Sequence, residues 1–520
     1  HATIDGSHQL LSDPERALLR RLAVFVGSWE VEATKAVGTG DGIRAEAVPD
    51  LLAALVEKSW VLAEGQTGEE RCRLLETIRQ YAAEKLRESG EADAVRARYR
   101  AWHRALVERA EPELSGPRQR SWLDRLERDH DNVRAILEGS VDDPSCLEEG
   151  ARMAAALLRL WIARGHLGEG GRLLAALLAL AETEPAFRGT SAHMAALHAA
   201  AFVAYFQGDF AAAGSLADVW LAVARDLEDE RGIWLAIDTQ ARAAMNRGDY
   251  PRSKALFVDS LEAMRRLGDR FGIRSGLIGL AVLARLQGDH ERAVALCEEC
   301  LAVSREAGDL WFVGQALSNL GLTRYQLGHY GVAHEQFAEA LALRRELRDR
   351  SGIAWSLINL GDAEQAQGDT AAALARIEES LAILRDLGDR SGGADALASL
   401  GRVAQVRGDF EEARACYVES LQLRRDLGHR LAMPAMLESL AGLTAAQERH
   451  TRAMTLAGAA AALRDALGAP QSPADQEQVA AWLGSARAAP GERDADEAWA
   501  AGRAMTLEQA EAFALEEDDA

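Results

Sequence analysis

Residues 367–392 read QGDTAAALARIEESLAILRDLGDRSG, and residues 407–432, forty positions further on, read RGDFEEARACYVESLQLRRDLGHRLA. Turn glycines recur at the same interval from residue 208 onward, at Gly208, Gly248, Gly288, Gly328, Gly368 and Gly408. A fixed period of roughly 20–50 residues is the sequence signature of a repeat array. The spacing therefore predicts one structural unit that is copied along the chain.

Each copy carries the residues that a pair of helices needs at its turn. The glycine tolerates the left-handed conformation in which a first helix ends. An aspartate that can cap the second helix follows in most copies, at Asp209, Asp249, Asp289, Asp369 and Asp409, whereas His329 takes its place once. Asp409 and Glu412 have the spacing of a capping box, and Pro251 falls where a first-turn proline is favoured.

Small and apolar residues repeat in register with the caps. Four residues beyond each cap position lies a small side chain that lets two helices approach closely: Ala213, Ser253, Ala293, Ala333, Ala373, Ala413 and Ala453. Eight residues further lies an apolar contact for the neighbouring unit: Leu221, Leu261, Leu301, Leu341, Leu381 and Leu421. A second turn, such as residues 388–392 with the sequence GDRSG, leads to the next pair of helices.

This helix–turn–helix unit resembles the tetratricopeptide repeat, whose Leu-Gly, Gly-Asp-aromatic and Ala pattern stands here as Leu360-Gly361, Gly368-Asp369-Thr370 and Ala373. The period is forty instead of about 34 residues, so longer helices or turns are expected. The resemblance implies a right-handed superhelix, an α-solenoid of 40-residue repeats from 151 to 467. Such units bury their apolar faces only by stacking, and the stack offers a long concave surface to another molecule.

Composition agrees with a mainly α chain, because Ala, Leu, Glu and Arg dominate and residues that favour strands are sparse. The formal net charge is −22. Residues 1–137 contribute only −3, from 21 basic and 24 acidic side chains, so the remaining 383 residues carry −19. A phosphate backbone would be repelled by that acidic region, so we expect no direct nucleic-acid binding by the repeats.

Five scattered cysteines, Cys72, Cys146, Cys297, Cys300 and Cys416, indicate a reducing compartment instead of a disulfide framework. No apolar run is long enough to span a bilayer, and no signal peptide is recognisable. We therefore expect a cytoplasmic protein without a membrane partner. The sequence opens on HATIDGSHQLL without an initiator methionine, which suggests part of a longer protein.

The N-terminal section has a different pattern. Ser12-Asp13-Pro14-Glu15 is a capping box that opens the helix ERALLRRLAVF. SWEVEATKAVG and VPDLLAALVEKS read as two further helices, WVLAEG and RCRLL as two short strands, and ETIRQYAAEKLRESG as another helix. Three helices and a hairpin predict a winged-helix domain over residues 1–90.

ATIDGSHQLLSDPERALLRRLAVFVG and RCRLLETIRQYAAEKL resemble the winged-helix region of bacterial STAND regulators (signal-transduction ATPases with numerous domains). In that family a nucleotide-binding domain precedes the winged helix and tetratricopeptide repeats follow it. PELSGPRQRSWLDRLERDHDNVRAIL resembles the helical linker of the family, which gives a linker over 91–150. DEAWAAGRAMTLEQAEAFAL resembles the closing helices, which gives capping helices and an acidic tail over 468–520.

Two departures from the family limit what this chain does alone. The only lysines are Lys35, Lys58, Lys85 and Lys254, and none follows glycine, so no phosphate-binding loop of the GxxxxGK[ST] kind is present. Where related switches carry a Met-His-Asp triplet that touches the bound diphosphate, this sequence has Leu74-Leu75-Glu76, and Leu75 cannot donate a hydrogen bond. We predict a non-enzymatic chain without its own cofactor, in which ATP or ADP comes only with the missing upstream domain.

Other candidate sites have plainer interpretations. Cys297 and Cys300 lack the further ligands of a zinc site, so we interpret them as packing residues. His193 and His198 lie five apart and do not share a helix face. The third helix of the winged domain could enter a DNA groove, but Asp50 and Glu57 outweigh its single lysine and argue against phosphate contact.

The remaining candidate is the concave groove. In tetratricopeptide stacks, residues at fixed positions of the first helix of each repeat line the groove. The corresponding positions here give a set of predicted ligand-binding residues: Arg159, Tyr205, Asp238, Arg242, Asn246, Arg285, Asn319, Tyr325, Trp355, Asn359, Asp362, Arg402 and Gln405. Tyr and Trp would add rigid amphipathic contact area. The alternative is ordinary solvated helix surface with hydrogen bonds between repeats.

These observations predict the inducer-sensing portion of a STAND-type regulator. A protein or small-molecule inducer would bind the repeats and shift the upstream nucleotide-binding domain, its second partner, between two states by differential affinity. Transcription is the output that the resemblance implies. Two alternatives stay open: a constitutive scaffold for partner proteins, and a defence-type sensor of an invader's protein.

Overall fold

A computed structural model describes residues 2–65 and 70–516. Within them the chain is mainly α-helical, with one small sheet near the N-terminus, and it divides into two compact units. The first unit extends to Leu114 and adds Arg118–Leu160 and Ala175–Arg188. The second comprises Ser115–Pro117, Trp161–Leu174 and the chain from Gly189 onward.

A winged helix opens the first unit, as predicted. Its elements are α1 (Ala2–His8), α2 (Asp13–Leu22), β1 (Trp29–Glu30), α3 (Val31–Gly38), α4 (Val48–Glu57), β2 (Leu62–Glu64), β3 (Arg71–Arg73) and α5 (Glu76–Ser89). The sheet order is β1-β3-β2, antiparallel, with Cys72 opposite both Trp29 and Ala63. The sequence pattern predicts a helix at Trp29 and Glu30, whereas these residues pair with β3 as a short third strand.

The predicted capping box at the start of α2 is confirmed. The Ser12 hydroxyl accepts the backbone N–H of Glu15, and the Glu15 carboxylate accepts the N–H of Ser12 at 2.7 Å. These two bonds satisfy amides that the first turn of a helix leaves without partners.

The next helices of the first unit are α6 (Ala92–Ala110), α7 (Gln119–Arg128), α8 (His130–Asp142) and α9 (Leu147–Ala156). Buried polar contacts tie them to the winged helix. The Arg71 guanidinium lies 3.0 Å from the Asp129 carboxylate, and the Asn132 carboxamide accepts the N–H of Val26 at 3.0 Å. The predicted linker thus packs with the winged helix into one body.

Paired helices follow. Two of them, α10 (Leu158–Arg164) and α11 (Leu167–Ala179), contribute residues to both units. The second unit continues with α12 (Ser191–Phe206), α13 (Phe210–Asp226), α14 (Glu230–Asn246), α15 (Tyr250–Leu267), α16 (Arg270–Leu286), α17 (His290–Ala307), α18 (Leu310–Gln326), α19 (Tyr330–Leu347), α20 (Arg350–Ala366), α21 (Thr370–Leu387), α22 (Arg390–Arg407), α23 (Phe410–Asp426), α24 (Met433–Ala446) and α25 (His450–Leu467). From α12 to α25 each helix packs on the next, which is the stacked repeat array that the period predicts.

Three more helices end the described chain: α26 (Pro473–Ala488), α27 (Glu492–Arg503) and α28 (Leu507–Leu515). They pack against α23, α24 and α25. Trp482, Trp499 and Phe513 lie on the apolar cluster of the last repeat. The final repeat therefore has its apolar face covered, as a finite stack requires.

The repeat caps form as predicted at four of the five aspartates. Asp209, Asp249, Asp289 and Asp369 each accept a hydrogen bond from the backbone N–H three residues on. Asp409 makes no such bond and pairs instead with Arg407 at 3.2 Å, so its capping-box spacing with Glu412 is not used. All seven small residues beyond the cap positions are buried.

Glycines in the first helices admit large side chains from the second helices. A Cβ on Gly321 would lie 2.5 Å from the Phe337 ring, and one on Gly361 would lie 2.8 Å from the Ile377 side chain. Phe337 and Ile377 are themselves fully buried. The same contact recurs forty residues on, where a Cβ on Gly401 would lie 2.4 Å from the Tyr417 ring. In these three pairs the helices are held at a separation that only glycine permits, whereas the equivalent positions of other pairs carry alanine, at Ala241, Ala281 and Ala441.

Substitution of Gly321 by alanine tests this separation. We expect Gly321→Ala to lower the free energy of unfolding by about 1–3 kcal/mol, because the buried Phe337 ring cannot move aside. The matched control is Gly331→Ala, in the partner helix of the same repeat, where an added Cβ meets no atom within 4 Å. The control should be neutral or stabilising by up to about 1 kcal/mol through helix propensity. Denaturation followed by circular dichroism measures both, and equal stability of the two variants would contradict the close-approach argument.

The second unit winds far enough that early turns touch late ones. The Arg164 guanidinium donates to the carbonyl of Leu347, and the His429 ring donates to the carbonyl of Gly208 at 3.1 Å. The turn at Gly248 packs against Leu467 in the same way. The concave side of this unit is therefore not an open trough along its whole length, because the chain closes part of it with its own residues.

Candidate functional site

A cavity of about 410 Å³ lies on the concave side of the second unit. Its walls come from α10, α12, α14, α18, α19, α20 and α22, together with the start of α13, the turn before it and the segment that precedes α24. The lining includes five aromatic residues, Tyr205, Phe206, Phe210, Trp311 and Trp355. Its size falls within the range of small-molecule sites, roughly 300–1,000 Å³.

One helical stripe, repeated three times, builds most of this wall. Residues 311, 315 and 319 of α18 are four apart, so they share a face of the helix. The same positions forty residues on are 351, 355 and 359 in α20, and the next copy adds 391 and 395 in α22. These eight residues all line the cavity: Trp311, Gln315, Asn319, Ser351, Trp355, Asn359, Ser391 and Asp395.

Polar contacts hold the deep end of the cavity in place. The buried Arg344 guanidinium donates to the carbonyl of Gly352 at 2.7 Å, to the Ser356 hydroxyl at 2.9 Å and to the Gln315 carboxamide oxygen. Burial lowers the pKa of Arg344, and the nearby Asp349 carboxylate opposes that shift. Asp349 itself caps α20 by accepting the N–H of Gly352 at 2.9 Å.

Five of the thirteen predicted groove residues line the cavity: Tyr205, Asn246, Asn319, Trp355 and Asn359. Two others form a structural network between repeats. The Arg242 guanidinium lies 3.0 Å from the Asp238 carboxylate and donates to the carbonyl of Ser275 at 2.7 Å. Asp238 and Arg242 are buried, so hydrogen bonding between repeats, the plainer alternative, accounts for them.

Four predicted residues gather in a separate cluster. Arg402 pairs with Asp362 at 2.7 Å, and both charges lie close enough to the half-buried Tyr325 to act on its phenol. Burial, and then the charge of Asp362, raises the pKa of Tyr325. The Gln405 carboxamide accepts the Tyr417 hydroxyl at 3.0 Å. None of these four residues lines the cavity.

The last two predicted residues are also apart from the cavity. Arg285 is half-buried, its Nε lacks a hydrogen-bond partner, and burial lowers its pKa. Arg159 belongs to the first unit, whereas the other twelve belong to the second. The thirteen residues therefore do not form one site.

Sequence reasoning missed two kinds of cavity residue. Trp311, Gln315 and Ser318 lie on α18, and the forty-residue recurrence of positions 311 and 315 was a signal that could have found the first two. Phe210 and His429 enter from turns of opposite ends of the stack. Their meeting depends on how far the stack winds, which the repeat pattern does not encode.

The cysteine pair has the surroundings of packing residues. Cys297 and Cys300 are fully buried, and burial raises the pKa of each thiol to about 12. Within the described residues, no group of three or more His, Cys, Asp or Glu side chains is placed to hold a metal ion.

The two histidines also have separate roles. His193 accepts the backbone N–H of Gly189 at 3.2 Å, at the start of α12. The His198 ring lies 4.7 Å from the Trp220 ring and 5.0 Å from the Phe202 ring, and its buried Nε2 lacks a partner. Burial lowers the pKa of His198 to about 4.

The depressed pKa of His198 predicts a pH-dependent stability. Between pH 6.5 and pH 4 the unfolded chain takes up a proton on this histidine that the folded chain does not, so stability is lost as pH falls through that window. We expect the loss in free energy of unfolding between about pH 7 and pH 5 to be smaller in His198→Phe than in the parent. Urea denaturation at both pH values measures it, and parallel losses in the two proteins would contradict the assignment.

The exposed face of α4 in the winged helix is acidic. Asp50 and Glu57 are exposed, while Val48, Leu52 and Leu55 are buried in the domain. Lys58, just beyond the helix, pairs with Glu15 at 2.6 Å. Leu75 is 44% exposed and immediately precedes α5.

Comparison with known proteins identifies both units by type. A winged helix-turn-helix domain family matches residues 11–87. Two tetratricopeptide-repeat families match the second unit, one at residues 272–346 and 312–386 and the other at 394–427. A family named for subunit 5 of the anaphase-promoting complex matches residues 176–242. This is a winged helix-turn-helix protein with tetratricopeptide repeats.

Curated relatives connect the chain with transcription regulators. Proteins of Mycobacterium tuberculosis and Mycobacterium bovis named as HTH-type transcriptional regulators are 42% identical over 169 residues, which is 32% of this chain and 19% of theirs. Uncharacterised proteins of the same two species are 52% identical over 100 residues, which is 19% of this chain and 25% of theirs. The chain therefore spans about a fifth to a quarter of the length of these relatives.

A solved structure shares the fold of the repeats. A Rap protein complexed with competence and sporulation factor matches with a TM-score of 0.51 at 14% identity, over 75% of this chain and 99% of that one. A STAND protein with a tetratricopeptide-repeat sensor from Pyrococcus horikoshii has a TM-score of 0.45 at 17% identity, over 84% of this chain and 60% of that one.

Among the described residues, the helices are too short or too polar to cross a membrane.

Proposed function

We propose that this chain is the ligand-sensing portion of a transcription regulator, and that a small molecule binds in the cavity of the second unit. The observation that carries the proposal is the partly enclosed cavity of about 410 Å³, lined by the repeated Trp311, Trp355 and Asn359 stripe. A cavity of that size can enclose a small molecule. A stable protein–protein interface, in contrast, buries roughly 800 Å² of surface on each partner. This favours a sensor over a constitutive scaffold or a detector of an invader's protein.

The switch would work by differential affinity. The cavity joins early and late parts of the stack, because Phe210 and His429 line it together. Their rings lie 5.1 Å apart. A ligand seated there binds the wound form of the stack more tightly than a form in which these parts separate, and so shifts the equilibrium between them. The free energy available is limited to that difference in affinity.

The wider assignment rests on the resemblance of the N-terminal sequence to STAND regulators. In this proposal an upstream nucleotide-binding domain in the same cytoplasmic protein supplies the ATP or ADP site. Ligand binding by the present chain then changes the state of that domain. The regulators from Mycobacterium named above support transcription as the output.

A co-purifying ligand would test the proposal. Native mass spectrometry of the protein from its own host should show an added mass that Trp355→Ala removes, because the indole forms part of the cavity wall. Trp122→Ala is the matched control, since Trp122 lies in the first unit with Arg125 over its ring. In the full-length regulator, Trp355→Ala should abolish the response to induction. An adduct and a response that both survive Trp355→Ala would overturn the cavity assignment.

A second candidate function is DNA binding by the first unit, which the winged helix-turn-helix match suggests. The acidic face of α4 argues against the usual major-groove contact, because a phosphate backbone repels Asp50 and Glu57. We therefore expect no retardation of a random DNA duplex at about 50 mM salt. The double variant Asp50→Lys, Glu57→Lys is the positive control and should gain salt-sensitive binding. Salt-sensitive binding by the parent chain would favour the DNA function.

A further inference from the structure

Charged side chains that line the cavity already have hydrogen-bond or ion-pair partners within the chain. Arg344 has three acceptors in the Gly352 carbonyl, Ser356 and Gln315. Asp395 pairs with Arg424, a buried guanidinium outside the cavity. Arg344 and Asp395 therefore already have partners within the protein.

Asp349 and His429, which also line the cavity, have partners as well. Asp349 accepts the N–H of Gly352 at 2.9 Å and is 2% exposed. The His429 ring donates to the carbonyl of Gly208 at 3.1 Å. An ionised ligand in this cavity would lose its hydration without gaining an ion pair, which is strongly unfavourable in a partly enclosed site.

Neutral polar groups of the wall are, in contrast, left open. The Ser318 hydroxyl lacks a hydrogen-bond partner although its residue is only 6% exposed. The Asn359 carboxamide makes no hydrogen bond to any part of the chain that the structure describes. The side-chain N–H groups of Asn246 and Asn319 donate to the backbone carbonyls of Arg242 and Gln315, respectively. Their side-chain oxygens are left as acceptors.

A buried hydroxyl without a hydrogen-bond partner lowers the stability of the folded protein, because it has lost its bonds to water. A bound ligand can supply the missing hydrogen bond. Rings provide the rest of the wall. The Phe206 and Trp311 rings lie edge to face with centroids 6.0 Å apart. Trp355 adds a further ring to this wall.

We infer that the cavity binds an uncharged molecule that carries hydroxyl or amide groups and one apolar face, with Ser318 and Asn359 as its polar anchors. This inference rests on the proposed small-molecule site and adds the chemical class of the ligand. It excludes phosphorylated, carboxylated and ammonium-bearing ligands from the site.

Matched probe sets test the charge preference on the purified chain. One set is N-acetylglucosamine, glucosamine and glucuronic acid, and the other is N-acetyltryptophanamide, tryptophanamide and N-acetyltryptophan. Each set holds a neutral, a cationic and an anionic member of similar size. Titration by ligand-observed NMR should give a neutral member that binds at least about tenfold more tightly than its charged partners, or about 1.4 kcal/mol.

Variants locate the binding and separate the possible outcomes. Ser318→Ala should weaken the neutral probe, whereas Ser439→Ala, which removes an exposed hydroxyl bonded to Ala435, should not. Asn359→Asp should transfer the preference to the cationic member by adding an unpaired carboxylate. Circular dichroism establishes that each variant is folded.

Three results would overturn the inference. They are equal or tighter binding of a charged member, no saturable binding of either neutral probe, and an unchanged order of affinities in Asn359→Asp. Binding of a charged member that Trp355→Ala abolishes would refute the charge class and leave the proposed sensor site standing. Loss of induction in the full-length Trp355→Ala regulator tests that site independently.

Discussion

The distance between the two helices of a repeat is the constraint on which the second unit depends. Small residues such as Ala373 and glycines such as Gly361 bring the helix backbones close together, and Ile377 fills the space that the missing side chain leaves. Because every unit repeats this separation, the units stack with a constant rotation. The concave stripe of each first helix is thereby aligned with the stripe of the next, which places Trp311, Ser351 and Ser391 on one wall.

Winding turns this wall into a cavity. The turn glycines Gly165, Gly208 and Gly248 pack against Leu387, His429 and Leu467, each about 220 positions later in the chain. One winding therefore takes about five and a half repeats. Side chains that the sequence separates by more than two hundred residues come to line a single space, and the space is partly enclosed because the chain closes on itself.

The outcome shows which features a sequence alone can predict. Caps, small residues and the winged helix follow from local patterns, and residues such as Asp369, Ala373 and Ser12 behave as those patterns require. The short strand at Trp29 was missed because its pairing with Cys72 is distant in sequence. Asp409 was assigned a cap that it does not make, since Arg407 lies nearby and competes for its carboxylate.

Groove residues were harder to predict, and the reason is geometric. The groove positions taken over from tetratricopeptide repeats assume an open stack, in which the first helix of every repeat faces solvent. Here Arg242 bonds to Asp238 and to the neighbouring repeat, and Asp362 pairs with Arg402. Aromatic and amide residues at recurring offsets were the better guide, because Trp355 and Asn359 both line the cavity.

The contact between early and late turns also limits how this protein can change over evolution. An open solenoid can gain or lose a unit with little effect, because each unit meets only its neighbours. In this chain, deleting forty residues between Gly208 and His429 would bring a different turn opposite Gly208 and remove the bond that His429 makes there. Closure therefore fixes the number of units between these turns, and variation in length is tolerated only outside the closed segment.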